Sequence, residues 1–499
     1  MKQRIKLFNF RFYTTAVLML ASGIISAVFL NVFIGIAIGV ALFFLLGGRR
    51  AFIVFFIIGM IYVPIVTRIY DGSKADALQN ALIEGTVDSI VIENADNFSF
   101  YIKNLKVNDE SYPRKAFVTV TKDESGVIKQ GDYVTFIGNL SKYYLNPKES
   151  YSVSDYNKGY YYRAECTFGM TVSEKFSFVP AFKQKVYQNL YWAMSENNAA
   201  IAYALIFGDT SEISPEAKSV YKAVGIMHVF AVSGLHFAFL FSLLNFLFKK
   251  LGLKKQPHKS IAIFIIFIFF AYLCGFSPSA LRAVTMITIY MYASSSGRKY
   301  DIMNVLCFAA VVLLLINPLY LFDVGFLLSF FAVFGIALFD RKAINFLVRI
   351  KGKIKGKQNA PKAPNAPEPP PQKVGFVIKS VAMTFAANVG AFPFLCIYFG
   401  GVPLITFVAN IVVVPLISVL FPFILLMSAA GTLLRPLNAV LIIADVLISG
   451  INYFLTFIAQ TPLYVGVNFN VYTALLYYAV IIYLSDYYIG KRFKVLNRH

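Results

Sequence analysis

The chain contains 499 residues, of which 58% are hydrophobic and only 14% are charged, and its mean hydropathy is +0.65. These values exclude a soluble globular domain and indicate a protein that crosses a membrane several times. The 46 Lys and Arg against 25 Asp and Glu give a formal net charge of +21, which anionic lipid, nucleic acid or cytoplasmic loops could each explain. The four cysteines lie far apart without a CxxC pair, so we expect no disulfide framework, no zinc site and no cofactor.

The first segment, residues 1–68, is predicted to form three membrane spans. Basic residues precede an apolar run over 14–30, and further apolar runs cover 32–47 and 51–66. The first run resembles a signal sequence, but no convincing small-residue cleavage site follows it, so we predict an uncleaved span. The first two runs are short, and tilting or a helical hairpin would accommodate them.

The pattern changes to short alternating strands between Ala81 and Thr171. Five such runs are separated by Asn, Asp, Gly and Lys: ALIEGTVDSIVI, FSFYIKN, AFVTVT, DYVTFIGNL and YYYRAECTFGM. They predict a small all-β domain over 78–178, a barrel or sandwich, for which the five-stranded OB barrel has the right size. Its tyrosines could stack weakly on nucleic-acid bases or could be structural strand residues; the stacking candidates are Tyr143, Tyr144, Tyr160, Tyr161 and Tyr162.

The rest of the chain is predicted to consist of interfacial amphipathic helices over 181–224 and a membrane bundle over 225–490. The bundle's apolar runs lie at 226–247, 260–277, 279–295, 302–320, 322–339, 375–397, 404–428, 438–460 and 470–489. With the first three runs, the chain should have about twelve spans, give or take two. The predicted fold is therefore a polytopic α-helical membrane protein with broken helices and a small extracytoplasmic OB-like domain.

Basic clusters orient the predicted spans, because Lys and Arg are retained on the cytoplasmic side. Every strong cluster obeys the same alternation, which predicts cytoplasmic N- and C-termini and places the β domain outside. The loop 341–373 carries nine Lys or Arg and one Glu and falls on the cytoplasmic side. Its proline-rich tail predicts an extended tether. These inside loops account for most of the net charge.

Polar residues interrupt the apolar run HVFAVSGLHFAF at 228–239. The polar or small positions within and before this run are Gly208, Asp209, His228, Ser233, Gly234 and His236. Polar groups in hydrocarbon need partners, so His228 and His236 either form interhelical hydrogen bonds, face a transport path or its gate, or bind a metal. Ser233 and Gly234 could mark an unwound or closely packed point. Ahead of the run, Ser214, Pro215 and Glu216 predict the start of a short amphipathic helix at the outer surface.

Two further stretches combine polar residues with helix-breaking residues. Arg282 and Asp323 are predicted near the outer ends of spans, close to prolines and glycines that suggest broken helix ends, among them Gly325. They could line a cavity or form a salt bridge that holds the bundle together. In the second stretch, Asn388 and Asn410 lie among Gly and Pro in apolar surroundings, where packing is the default reading.

Taken in order, these blocks resemble the ComEC family of competence proteins. The blocks that carry the resemblance follow the β domain and are FGDTSEISPEAKSVYKAVGIMHVFAVSGLHFAFL, SPSALRA, NPLYLFDVGFLLSF and FPFLCIYFGGVPLITFVANIVVVPL. The resemblance implies an inner-membrane channel that passes single-stranded DNA into the cytoplasm during natural transformation, with an outer OB domain that engages DNA. It also implies path-lining or gating roles for Gly208, Asp209, His228, Ser233, Gly234, His236, Arg282, Asp323 and Gly325, to which we add Asn388.

One departure from the family concerns the nuclease domain that many members carry. A metallo-β-lactamase-like domain needs a clustered HxHxDH ligand set, whereas the four histidines here are dispersed. We therefore expect a channel that does not cut DNA, with a separate nuclease as partner. The sequence GKIKGK at 352–357 lacks P-loop spacing, so a cytoplasmic helicase or a single-strand binding protein is also expected. Further expected partners are membrane lipid and a DNA receptor on the outer side.

Two alternatives remain open on the sequence alone. Ser233 with a membrane histidine could form an intramembrane serine protease dyad, but AVSG has Ala231 where the rhomboid pattern GxSG has Gly, and His236 lies one turn away on the same helix. A broken-helix transporter of a small or lipid-linked solute is the other alternative, and it would favour an internal repeat, which the apolar pattern does not show.

Overall fold

The computed structural model describes residues 12–29, 51–71, 77–88, 92–93, 97–112, 115–121, 128, 130–142, 160–173, 178–252, 256–297, 300–354, 375–432, 434–460 and 464–485. The predicted span over 32–47, Tyr143, Tyr144, the side chain of Tyr160 and most of the proline-rich loop lie outside the described residues. The predicted domain boundaries and membrane orientation stay predictions.

The first two described helices are α1 (Phe12–Phe29) and α2 (Ala51–Asp71), which pack directly against each other. Glycines make this contact: a Cβ at Gly23 would overlap the carbonyl oxygen of Phe56, and one at Gly59 would overlap that of Leu20. Small residues allow such close backbone approach between apolar helices, where van der Waals packing replaces the hydrophobic effect.

A seven-stranded sheet follows, built from β1 (Ala77–Val87), β2 (Ile92–Glu93), β3 (Asn97–Val107), β4 (Glu110–Ser111), β5 (Lys115–Thr121), β6 (Tyr133–Lys142) and β7 (Tyr160–Ser173). Five strands close on themselves in the order β1-β6-β7-β5-β3, because β1 pairs with both β6 and β3. The β5–β7 pair is parallel and the other pairs are antiparallel. The prediction of a small β-barrel is confirmed.

The interior of the barrel follows from the two-residue period of its strands. In β5, for example, Ala116, Val118 and Val120 are buried while the residues between them are not. One core residue comes from elsewhere: Leu319, only 1% exposed, belongs to a 3₁₀ turn (Pro318–Phe322) and is packed into the barrel core. The barrel is thus fastened to the helical part of the chain through this turn.

The helical part begins with α3 (Phe178–Ala193), α4 (Glu196–Phe207), α5 (Pro215–Ala223), α6 (Gly234–Lys250), α7 (Gln256–Leu273), α8 (Pro278–Ser295) and α9 (Ile302–Ile316). It continues with α10 (Val324–Ile354), α11 (Phe376–Phe399), α12 (Thr406–Gly431), α13 (Ile442–Ile458) and α14 (Val471–Leu484). A short pair, β8 (Val402–Pro403) with β9 (Tyr464–Val465), joins two of the connections.

Three segments within the described residues are long and apolar enough to cross a membrane: Ile378–Phe399, Thr406–Gly431 and Pro436–Ile458. Helix α10 bends by 53° and counts as a fourth if its two halves form one span, and five other apolar helices are shorter. The helical membrane fold is therefore supported, while the count of about twelve spans stays a prediction.

Helices α3 and α4 form an antiparallel hairpin. The ring of Tyr187 meets that of Tyr203 at 5.2 Å, and the Lys183 ammonium lies 5.3 Å from the centre of the Phe207 ring. From Asn198 to Phe207 every residue of α4 is buried. The sequence predicted interfacial amphipathic helices here. Helix α5 has the exposed face of one, but α4 is enclosed because its sequence from Ala199 to Phe207 is apolar around the whole circumference.

Helix α11 contains Pro393, and the last helix compensates for it. Proline has no amide hydrogen, so the carbonyl of Val389, four residues earlier, lacks its helical donor. The Tyr477 hydroxyl of α14 donates to that carbonyl over 2.7 Å. On the same helix Gly390 lies back to back with Gly335 of α10, so close that a Cβ on either would overlap the partner backbone.

Candidate functional site at the start of α6

The segment between α4 and α6 opens with two tight turns. Gly208 ends α4 with φ of +76°, a left-handed conformation that glycine adopts without strain. The Asp209 carboxylate accepts from the amide and the hydroxyl of Ser211, over 3.1 and 2.7 Å. Ser214 then caps α5 by accepting from the Ala217 amide, with Pro at the first helical position, so the predicted helix start is confirmed.

The chain then runs along α12 before α6 begins. Where the connecting segment begins, the Thr406 hydroxyl of α12 donates to the carbonyl of Val224 over 2.7 Å. Just after the segment ends, the His236 ring packs edge-on against Phe421 of α12 at 4.8 Å. Phe421 lies fifteen residues after Thr406 in one helix, which corresponds to about 22 Å. Helix α6 therefore starts well along α12, after an irregular segment, so the apolar run predicted over 226–247 is α-helical only from Gly234 onward.

Ser233 and His236 cap the start of α6. The Ser233 amide donates to Nδ1 of His236 over 3.2 Å, and the Ser233 hydroxyl lies 3.3 Å from the same nitrogen. Because Nδ1 accepts, the neutral ring carries its proton on Nε2. The ring is 3% exposed, and Nε2 has no hydrogen-bond partner among the described residues.

This geometry differs from that of a catalytic serine. The lone pair of His236 Nδ1 is engaged by a main-chain amide, and the described contacts of the ring include no carboxylate that could orient it. A nucleophilic serine needs a free base held by a third group. The arrangement is therefore that of a capping box in which His takes the place of Glu.

The second histidine of the motif contacts the backbone of its own turn. His228 is exposed, and its Nδ1 lies 3.3 Å from the carbonyl oxygen of Gly225. Within the described parts of the chain, no group of three or more His, Cys, Asp or Glu is arranged to hold a metal ion.

Arg282 of α8 joins three helices beside the α6 cap. Its Nε donates to the Ser329 hydroxyl of α10 over 2.8 Å, and Nη1 lies 3.6 Å from the sulfur of Met286. The side chain is 6% exposed. Its Nη2 lies against Gly234, the first residue of α6, where a Cβ would approach it to 3.3 Å.

The alternative of a salt bridge between Arg282 and Asp323 is not what the structure contains. The described contacts of Arg282 are with Ser329, Met286, Gly234 and the ring of Phe330, and they include no carboxylate. Asp323 precedes α10 and accepts from the Phe326 amide over 2.9 Å. The two residues therefore have separate contacts: Arg282 joins α8 to α10 and α6, and Asp323 caps α10.

Some predicted site residues are brought together and others are not. Gly208 borders the same segment as the cap, since a Cβ there would lie 3.0 Å from Val232. Gly325 sits beside the Asp323 carboxylate at the start of α10. Asn388 is half-buried on α11, and no described contact joins it to the α6 cap.

A polar network that the sequence reading missed joins α4, α5 and α13. Asn198 donates to the Asp445 carboxylate over 2.8 Å and accepts from Asn452 over 3.0 Å. The amide and hydroxyl of Ser195 also donate to Asp445, and Tyr221 donates to Asn452. The signal was present: an Asp within the apolar run LIIADVLISG is by default a functional or structural anchor.

In the barrel, Tyr161 and Tyr162 are 3% and 1% exposed, and Tyr162 packs edge-on against Tyr112 at 5.6 Å. Rings in this interior position do not offer their faces to a base, so the placement favours the structural alternative for both.

Also in the barrel, the Asp88 carboxylate forms ion pairs with Lys103 at 2.9 Å and with Lys115. Burial raises the pKa of Asp88, but the hydrogen bonds and charges of these lysines outweigh it, so its pKa lies below the ordinary value.

Comparison with known proteins places the α6 cap and Arg282 inside a matched region. A sequence model of the family described as "Competence protein" matches residues 205–489. The chain is 31% identical over 193 residues to "ComE operon protein 3" of Bacillus subtilis, which covers 37% of the chain and 25% of that relative. It is 26% identical over 230 residues to "Recombination protein 2" of Haemophilus influenzae, covering 44% and 27%.

The protein YcaI of Escherichia coli is 24% identical over 226 residues, which cover 44% of the chain and 27% of that protein. In these relatives the matched segment spans only about a quarter of the length. No solved structure matches the chain.

Proposed function

Because the chain belongs to the family of competence proteins, we propose that it passes single-stranded DNA across the bacterial cytoplasmic membrane into the cytoplasm during natural transformation. In this proposal it is a multi-pass channel and not an enzyme. Its two termini lie in the cytoplasm and the barrel lies outside, as the distribution of Lys and Arg favours.

The observation that carries the proposal is the buried cation beside the α6 cap. Arg282 lies within the family region, almost fully enclosed, and its described contacts are with a hydroxyl, a thioether and a ring. A single strand carries one negative charge per phosphate, so its route must be polar or cationic. A guanidinium inside the bundle meets that requirement.

The broken start of α6 supports a path next to this cation. Non-helical backbone is tolerated at membrane depth where it is buried in protein or lines a cavity. Ser233 and Gly234 are half-buried and Leu235 is 41% exposed, so the first turn of α6 is open on one side. We assign the residues of this turn to the wall or gate of the path.

The barrel would engage DNA before it enters. Its closed strand order, with the parallel β5–β7 pair, has the five-stranded OB arrangement, a fold that binds oligonucleotides. Phe168 of β7 is 71% exposed and could stack on a base. The proposed partners are single-stranded DNA, an outer DNA receptor, membrane lipid, a separate nuclease, and a cytoplasmic helicase or single-strand binding protein.

A deletion strain tests this function. Labelled DNA should still bind at the cell surface and should no longer reach the cytoplasm. His236→Ala and Asp209→Ala should reduce entry while the protein remains in membrane fractions, and a variant that disappears from those fractions would show that its residue serves packing. Normal cytoplasmic entry in the deletion strain would contradict the proposal.

A further inference from the structure

Two positively polarised groups face each other where α8 meets α6. The start of a helix carries the positive end of its dipole and several amides without helical acceptors. Nη2 of Arg282 lies directly against Gly234, the first residue of α6. A cation at this end of a helix is unfavourable unless an anion lies near both.

The side chain has donors to spare. A guanidinium has five N–H groups, and the described contacts of Arg282 use Nε toward Ser329 and Nη1 toward Met286, which leaves Nη2 without a described acceptor. Its orientation is fixed, since the Ser329 hydroxyl also lies 3.1 Å from that of Ser279. The unused edge of the fork therefore points toward the first turn of α6.

Burial makes the unfilled donors significant. Arg282 is 6% exposed, and buried charges in proteins are paired, whereas its described contacts supply no negative charge. The neighbouring His236, 3% exposed, also keeps Nε2 without a partner among the described residues. The guanidinium carbon lies 5.8 Å from the centre of the Phe330 ring, but this contact gives Nη2 no hydrogen-bond acceptor.

We propose that Arg282 and the first turn of α6 form a seat for one phosphate group of a single-stranded polynucleotide. Nη2 would donate to a phosphate oxygen together with the amides of Gly234 and Leu235, which combine a charged donor with a helix start. This seat rests on the proposed function, because it names where the transported strand touches the bundle.

The test uses the full-length protein purified in detergent and a fluorescent twelve-residue oligothymidylate, with binding followed by anisotropy. Arg282→Gln should weaken binding by about tenfold, the usual loss for one charge-assisted contact of about 1.4 kcal/mol. Arg282→Lys should recover only part, since it keeps the charge but lacks the fork. Lys222→Gln, at an exposed position on α5, removes one positive charge elsewhere and should bind like wild type.

Gly234→Ala separates binding from folding. Gly234 is helical and alanine favours helices, and the one close neighbour of the added Cβ is the end of a long side chain that can shift by a few tenths of an ångström, so the variant should fold. The added methyl group would stand 3.3 Å from Nη2 and occupy the seat, so binding should fall. A stable Gly234→Ala protein with wild-type binding would overturn the inference, as would Arg282→Gln binding as tightly as Lys222→Gln.

These results are distinguishable from failure of the proposed function. Suppose that the deletion strain loses DNA entry, but a strain with Arg282→Gln takes up DNA normally and the purified variant binds oligothymidylate like wild type. The proposed phosphate seat is then wrong, and the proposed channel function stands. If inorganic phosphate raises the unfolding temperature of wild type but not of Arg282→Gln, while oligothymidylate binding is equal in both, the seat takes a free phosphate or a lipid headgroup. That outcome would overturn the assignment to a polynucleotide.

Discussion

Replacing Tyr477 by Phe should destabilise the bundle by more than an ordinary hydrogen bond is worth. Its hydroxyl donates to the Val389 carbonyl over 2.7 Å, and Pro393 cannot supply the amide that this carbonyl would otherwise receive. The variant therefore leaves a main-chain acceptor without a donor in apolar surroundings. Such an unsatisfied group costs about 1–3 kcal/mol.

Tyr478→Phe is the matched control on the same helix. The Tyr478 hydroxyl donates to the Gly390 carbonyl over 2.9 Å, but Phe394, four residues further along α11, carries an amide that can serve this carbonyl. The loss here should be that of an added hydrogen bond, about 0.5–1.5 kcal/mol.

Pro393→Ala supplies the missing amide and completes the test. In that background, Tyr477→Phe should cost no more than the control, because the introduced alanine has an amide that can donate to the Val389 carbonyl. Unfolding in mixed micelles with increasing dodecyl sulfate, followed by circular dichroism, gives the free energies of unfolding of all these variants. Equal costs for Tyr477→Phe with and without the proline would refute the reasoning.

Three further predictions concern other parts of the fold. Gly335→Ala should separate α10 from α11 and lower the unfolding temperature, since its Cβ would overlap the Ala386 carbonyl; Gly450→Ala, where a Cβ meets nothing within 4 Å, is the control in the same thermal scan. Asp445→Ala should destabilise the α3–α4 hairpin by about 0.5–1.5 kcal/mol, because the amide and hydroxyl of Ser195 lose their acceptor while Asn198 keeps the Asp445 carbonyl and the Ser449 hydroxyl, and limited proteolysis at the hairpin should show it. Asp88, whose pKa is lowered in the fold, stabilises the barrel above the ordinary carboxyl pKa of about 3.9, and this contribution is lost as pH falls through the lower folded value. Asp88→Asn should therefore flatten the stability-versus-pH curve in acid, and an unchanged curve would contradict the assignment.

The barrel and the break before α6 were predictable because both depend on local pattern. Period-two alternation gives strands, and a Ser-Gly pair inside an apolar run marks an unwound or closely packed point. The burial of both Tyr161 and Tyr162 could not be predicted in this way, since neighbouring strand residues normally face opposite sides of a sheet. The β5–β7 register shifts at this point, so that Lys115 and Ala116 pair with residues 160 and 162, and both tyrosine rings are buried.

Partners across the bundle were not predictable from one sequence. Arg282 and Asp323 have opposite charges and similar positions in their spans, yet one contacts Ser329 and the other caps its own helix. Asn198 joins Asp445 across a separation of 247 residues. Hydropathy gives the depth of a residue and not the rotation of its helix, and rotation decides these pairs.

Because the turn Pro318–Phe322 places Leu319 in the barrel core, the packing of the barrel depends on the helical part of the chain. A fragment of residues 77–173 produced on its own would lack Leu319, so the apolar core that this side chain covers would be exposed to solvent. Such a fragment should aggregate unless the turn is supplied. Exchanging barrels between related proteins would face the same difficulty, because the turn with Leu319 belongs to the helical part of the chain.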